Sequence, residues 1–230
     1  MFEELKSQFI LNFITEDRWL SLFKGLGVTL VITFFAVILG FVLGFSVAVV
    51  RNIYDNTKRL KFLNFICNIY LTVIRGTPVV VQLLIIYFVI FSSMRVDKSV
   101  AAILAFGINS GAYQAEIFRS GINSVPKGQM EAGRSLGFNY AQTMIFIIMP
   151  QAIKNILPTL ANEFIVLMKE TSVAGYIALE DLTKAGDVIR SRTYSAMMPF
   201  LAVALLYLIM VMLFSYLVKL LERSLAKSGR

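Results

Sequence analysis

Two sets of polar residues stand where a lipid bilayer would make them costly. Asn109, Tyr113, Glu116 and Ser120 recur at spacings of four, three and four residues, which is one face of a helix. Asn155, Thr159, Asn162, Val166 and Lys169 follow nearly the same period further along, with Glu163 beside Asn162. Both sets lie in strongly apolar stretches, where an ionisable side chain points to function. The chemistry open to them is binding. Glu163, well inside its stretch, needs a cation or water, and Arg75 or the ammonium of a ligand could supply the cation. Asn109, Ser110 and Asn162 offer donors to a carboxylate, and Tyr113 lies on the same helix as Asn109 and Ser110. Two such stripes on consecutive helices predict a wet cavity between them. For Ser110, Gln114 and Thr159, a hydrogen bond between helices, worth about 0.6–2 kcal/mol, is an equal alternative to ligand contact. Glu116 and Arg119, near the end of their helix, either snorkel and pair or join the site.

Composition narrows the choice. The 230 residues contain no His and one Cys, Cys67, which leaves no His-based acid–base catalysis, no His/Cys metal site and no intrachain disulfide. An intramembrane hydrolase would need a nucleophile with a base or a metal cluster, and neither is present. No Gly-x-x-x-x-Gly-Lys-Ser/Thr loop occurs, so ATP hydrolysis has no place on this chain. Hydrophobic residues make up 57% and charged ones only 16%, and the mean hydropathy is +0.74. These values describe an integral membrane protein. The net charge of +8 is spread between apolar runs without a basic arm or domain, so membrane topology explains it better than nucleic acid does.

The elements that must carry the polar stripes follow from the apolar runs. A helix needs roughly 20 apolar residues to cross the hydrocarbon core. Five spans are expected, at about 27–50, 62–94, 99–118, 150–168 and 196–221, all within a single domain of residues 1–230. The second holds Arg75-Gly76-Thr77-Pro78 and is too long for one straight helix, so one kinked or broken span is expected there. Gly76, Pro78, Pro150 and Pro158 are candidate bending points for gating. Gly40 and Gly44, four apart on the first span, permit close helix packing. Residues 1–17, acidic and without a basic leader, read as an amphipathic surface segment. The basic residues divide almost evenly between the two sides. The tight clusters Arg51, Lys58, Arg59, Lys61 and Lys219, Arg223, Lys227, Arg230 place the C-terminus in the cytoplasm and the N-terminus outside.

Between the third and fourth spans lies Glu131 to Pro150, a polar helix of small residues on a very apolar chain. Ser124 or Val125 caps its start, Pro126 fills the first turn and Gly137 stops it. The helix is expected over about 127–137. Glu131 and Arg134, three apart, can pair with each other or with a partner, and Ala132 and Gly133 allow another surface to approach the backbone.

The spacing of Glu131, Ala132, Gly133, Gly137, Ile147 and Pro150 resembles the EAA loop of ABC-importer permeases. Gly133 replaces the third-position Ala and Met149 the Leu before Pro150, and both keep the size class. Arg75-Gly76-Thr77-Pro78 with Gln82, the run from Ala112 to Ile122, and Gly128-Gln129 with Glu131 sharpen the resemblance toward polar amino-acid permeases of the histidine, glutamine and arginine type. Pro150-Gln151-Ala152, Leu157-Pro158, Asn162 to Ile165 and Lys169 to Ser172 extend it over essentially the whole chain. The resemblance implies an all-α membrane protein of the type I importer architecture, with five transmembrane helices and a cytoplasmic coupling helix seated in a cleft of an ATPase. It assigns coupling to Lys127, Gln129, Glu131, Ala132, Gly133, Arg134 and Gly137. It also implies a second permease subunit, identical or not, two cytoplasmic ATPases that hold the ATP and Mg, and an extracytoplasmic amino-acid binding protein. The resemblance places the chain in the bacterial inner (cytoplasmic) membrane. Arginine, lysine or histidine is favoured as substrate over glutamine or cystine, on the strength of Glu163. A secondary transporter or channel could use the same stripes but would leave the polar helix unexplained.

Overall fold

The computed structural model describes residues 2–227, apart from the side chain of Ala226; Arg230, used above for orientation, and the outer ends of the expected domain lie outside that range. Every regular element among the described residues is helical. Helix α1 (Phe2–Phe9) continues as a wide turn to Ile14, and its apolar residues Phe2, Leu5 and Phe9 face outward. Glu16 and Asp17 then adopt left-handed backbone and reverse the chain into α2 (Arg18–Thr57). The 40 residues of α2, at about 1.5 Å each, make a rod roughly 60 Å long, well beyond the expected 27–50. The polar stretch around Lys24–Gly25 hid this start. A Cβ on Gly25 would lie 2.6 Å from the Asp181 carbonyl, so α2 runs on because protein packs against it there.

The 62–94 stretch is two helices. Helix α3 (Lys61–Gly76) and the pair formed by α4 (Val79–Ile85) and a wide turn to Ile90 meet at Thr77-Pro78 with a bend of 110°. Proline fixes its own φ and keeps Thr77 extended (φ −124°, ψ 146°), which ends α3 there. Neither half alone reaches about 20 residues.

Helix α5 (Lys98–Asn123) is the centre of the molecule. Ala101, Ala102, Ala105, Phe106, Asn109, Ser110, Ala112 and Gln114 are all buried in it. Its small residues let α2 approach closely: a Cβ on Gly44 would come within 2.8 Å of Gln114 Cβ and of the Gly111 carbonyl oxygen. That confirms Gly40-x-x-x-Gly44 as a packing motif. On another side, Tyr70 of α3 donates to the Ile108 carbonyl at 2.6 Å.

Helix α6 (Lys127–Ser135) leads into α7 (Tyr140–Thr143), a wide turn (Met144–Ile148) and α8 (Met149–Glu170), which tightens into a 3₁₀ segment, Thr171–Ile177. Pro150 and Pro158 do not break this run. Pro150 falls in the first turn of α8, where a missing N–H costs little, and the helix continues through Pro158. Helices α9 (Leu182–Thr193) and α10 (Met197–Lys227) complete the described residues.

Three helical runs among the described residues are long and apolar enough to cross a membrane: Phe2–Thr57, Tyr140–Ile177 and Met197–Leu225; the bent pair is a fourth if counted as one span. Helix α5 is not among them. It is too polar for lipid and is enclosed by α2, α3, α4 and α8 instead.

Candidate functional site

The two polar stripes meet. A cavity of about 390 Å³ lies between α5 and α8, lined by Tyr113, Glu116, Ser120 and Ser124 on one side and Asn155, Thr159 and Glu163 on the other. On α8 the lining residues recur every four positions. Asn162 and Val166, which the sequence period placed on the same face, turn outward and are exposed. Lys169 is exposed as well. A step of one residue turns a helix by about 100°, so Glu163 and Asn162 address different surroundings.

Glu163 is held from the buried side. Ser110 Oγ donates to Glu163 Oε1 at 2.9 Å, and Gln114 Nε2 donates in turn to Ser110 Oγ at 3.0 Å and to the Val37 carbonyl at 3.2 Å. Ser110 and Gln114 are fully buried, so this relay fixes the carboxylate against α2 and α5. Ser110 thus serves both readings: it is a bond between helices and it positions a cavity residue. Gln114 Oε1 is buried without a partner among the described residues. No Lys or Arg pairs with Glu163 among the described residues.

Arg75, expected as the counter-cation of Glu163, stands beside Glu116. Three guanidinium groups converge on Glu116: Arg51 at 3.2 Å, Arg75 at 3.5 Å and Arg119 at 4.0 Å. They come from α2, α3 and α5, so one carboxylate ties three helices together. The Arg75 guanidinium also lies 5.8 Å from the centre of the Tyr113 ring, within reach of a cation–π contact.

Asn109 lies behind the cavity. It is buried and donates from Nδ2 to Gln82 Oε1 at 3.0 Å. Gln82 Nε2 reaches the Ile74 carbonyl at 2.8 Å, the Thr77 carbonyl at 3.0 Å and Thr77 Oγ1 at 2.9 Å. These carbonyls lose their helical partners where α3 stops at Pro78. Gln82 therefore ties off the elbow and, through Asn109, fastens it to α5. Sequence reasoning quoted Gln82 only as part of a motif; the available signal was one amide within an otherwise apolar helix, four residues after Pro78.

The short helix α6 is mounted rigidly. Phe138 N–H donates to the Gly133 carbonyl and Gly137 N–H to the Arg134 carbonyl, while Gly137 takes φ +89°. This is a Schellman ending, and it requires the left-handed backbone that glycine adopts without strain. Asn139 and Gln142 then form a reciprocal capping box for α7. Helix α6 starts at Lys127, as expected, with Pro126 rather than Ser124 or Val125 at the cap. Gly133 faces inward: a Cβ there would meet Thr143 Cγ2 at 2.5 Å. Lys127, Gln129, Glu131, Ala132 and Arg134 are exposed. Glu131 makes no ion pair among the described residues, and Arg134 donates to the Phe138 carbonyl at 3.4 Å instead. Gln129 Oε1 accepts from Gln151 at 3.4 Å.

The model of binding-protein-dependent transport system inner membrane components matches residues 36–227. The chain belongs to this family. The match takes in the cavity, the elbow and α6. The permease is 38% identical over 208 residues to the putative glutamine transport system permease protein GlnP of Rickettsia typhi, covering 90% of this chain and 93% of that one. It is 35% identical over 204 residues to the arginine transport system permease protein ArtQ of Bacillus subtilis, covering 88% and 91%. A crystal structure of an amino acid ABC transporter with histidines superposes with a TM-score of 0.84 at 41% identity, covering 92% of this chain and 98% of that one.

Removing the Gln82 amide tests the elbow of the permease. Gln82→Leu leaves the Ile74 and Thr77 carbonyls without its N–H groups and is expected to cost about 1–3 kcal/mol of unfolding free energy. Asn109→Leu added to it should cost less than its own single effect. Denaturation of the purified single and double variants in detergent measures this, and strict additivity would mean that the two amides do not act together.

Proposed function

We propose that this chain is the translocating permease of an ATP-driven importer of polar amino acids, with basic side chains favoured. The observation that carries the reading is the α5–α8 cavity, where a relay of buried donors presents Glu163 without a protein cation. A carboxylate kept so far inside a span is costly unless a cation or water meets it, and a cationic cargo meets that need. The named relatives handle glutamine and arginine, and Glu163 tilts the choice toward arginine, lysine or histidine. Tyr113 lines the same cavity, Ser110 acts through Glu163, and Asn109 supports the wall.

In this reading the chain crosses the membrane five times: α2, the bent pair α3–α4, the enclosed α5, the run through α8, and α10. The N-terminus lies outside and the C-terminus in the cytoplasm of a bacterial cell. Two permease subunits, alike or different, work with two cytoplasmic ATPases that hold ATP and Mg, and an extracytoplasmic binding protein delivers the amino acid. Helix α6 is the coupling helix. Its exposed residues Lys127, Gln129, Glu131, Ala132 and Arg134 face an ATPase, while Gly133 and Gly137 build the mount that makes it a lever. Closure of the ATPases would push α6, and the Schellman turn and capping box would pass the motion to α7 and α8. The elbow at Gly76–Pro78 is the place for the bundle to yield. Alternating access to the cavity follows.

Two substitutions separate the parts. Glu131→Trp should reduce ATP-coupled uptake in proteoliposomes at least about tenfold while the purified chain still folds; normal uptake would contradict docking through this helix. Glu163→Gln should depress uptake of L-arginine and L-lysine about tenfold or more and spare L-glutamine. Equal losses for both classes would mean that the carboxylate does not select by side chain.

A further inference from the structure

A second hollow lies on the far side of α5 from the cavity. It encloses about 680 Å³, and Phe118 and Ile122 of α5 line it. Each follows a cavity residue, Glu116 or Ser120, by two positions, which is about 200° around the helix. On α2 the lining residues Phe45, Val49, Ile53 and Thr57 recur every four positions along one face. That face is about 18 Å long, close to the roughly 15 Å of hydrocarbon in one leaflet. The other wall is the segment that joins α6 to α8, from Tyr140 to Met149.

The groove suits hydrocarbon. Phe45, Val49, Ile53 and Ile145 are exposed along it. Tyr140 Oη donates to Asn52 Oδ1 at 3.0 Å and Thr57 Oγ1 to the Ile53 carbonyl at 2.7 Å, so both hydroxyls on its lining are already bonded. Beyond Thr57 the groove ends at positive charge. Lys58, Arg59 and Lys61 are exposed and form no ion pair among the described residues. Lys58 takes left-handed backbone where α2 stops, and its Nζ lies 5.2 Å from the centre of the Tyr54 ring. The nearest acid in sequence, Asp55, lines a separate small cleft with Arg51 and Arg119. An apolar stripe one leaflet deep, ending at basic side chains with no acid to pair, matches an acyl chain joined to a phosphate.

We propose that this groove between α2 and α7 seats an anionic phospholipid, with one acyl chain along α2 between Phe45 and Thr57 and the phosphate on Lys58 and Arg59. In the orientation given above the lipid belongs to the cytoplasmic leaflet. Its chain bears on the wall that joins α6 to α8, so the lipid becomes part of that mounting. The site does not depend on what the cavity carries.

Phe45→Trp combined with Trp19→Phe, which removes the chain's one Trp, leaves a single reporter at the deep end of the groove. Brominated acyl chains quench such a reporter on contact, here in the permease–ATPase complex reconstituted into vesicles. Phosphatidylglycerol should be preferred over phosphatidylcholine of the same chains about tenfold or more. Lys58→Gln with Arg59→Gln should bring the two level, about fivefold for each charge, and leave quenching by phosphatidylcholine unchanged, a pattern that a folding defect does not produce. Lys219→Gln with Arg223→Gln removes the same charge from the exposed end of α10 and should leave the preference as it was. Equal affinity for the two lipids in the unaltered groove overturns the proposal, and so does an equal loss of preference in the α10 variant, which would trace it to surface potential alone. A reporter that neither lipid quenches overturns it as well, because a second copy of the chain or another protein would then cover the groove.

Discussion

The structure depends on keeping α5 out of lipid. That helix carries Asn109, Ser110, Gln114 and Glu116 along its length, and hydrocarbon offers none of them a partner. Protein must enclose it, and its neighbours are shaped accordingly. Glycines on α2 let the two backbones approach until only small residues fit between them. Tyr70 from α3, Gln82 from α4 and Glu163 from α8 each bond to a group on α5. The polarity that makes α5 a poor transmembrane helix thus specifies the packing of its neighbours.

The same enclosure creates the site. Where α8 leans on α5, the contact is incomplete, and the gap retains Glu163, Thr159 and Asn155 facing Tyr113, Glu116 and Ser120. The bonds that support these residues run behind the cavity, from Gln114 through Ser110 on one side and from Asn109 through Gln82 to the elbow on the other. Loss of a supporting amide should therefore disturb shape before it disturbs ligand contact. Helix α6 belongs to the same chain of cause: it ends in a turn that only Gly137 makes easy, and the capping box immediately re-enters α7 on the way to α8.

Much of this was legible in the sequence because periodicity reports faces. The spacing of Asn109, Tyr113 and Glu116, and of Asn155 and Thr159, was enough to foresee a cavity between two helices, and Gly40 and Gly44 announced a close crossing. Periodicity does not report neighbours. It assigned Asn162 to the cavity when Glu163, a third of a turn away, is the residue that lines it. It offered Arg75 to Glu163, although the bend at Pro78 carries that guanidinium to Glu116. Gly133 read as a surface for a partner, and its missing side chain instead makes room for Thr143. The early start of α2 was hidden because Lys24 and Gly25 interrupt the apolar pattern where the protein's own backbone, not lipid, is the neighbour.

The central claim is that the gap between α5 and α8 is the path of a polar amino acid. Thr159→Cys, introduced in a chain whose Cys67 is replaced by Ser, places a single thiol on the wall of that gap. A hydrophilic, membrane-impermeant thiol reagent should label it in the reconstituted complex, and L-arginine should protect it. Absence of labelling in every nucleotide state, or labelling indifferent to L-arginine, L-lysine and L-glutamine, would contradict the account.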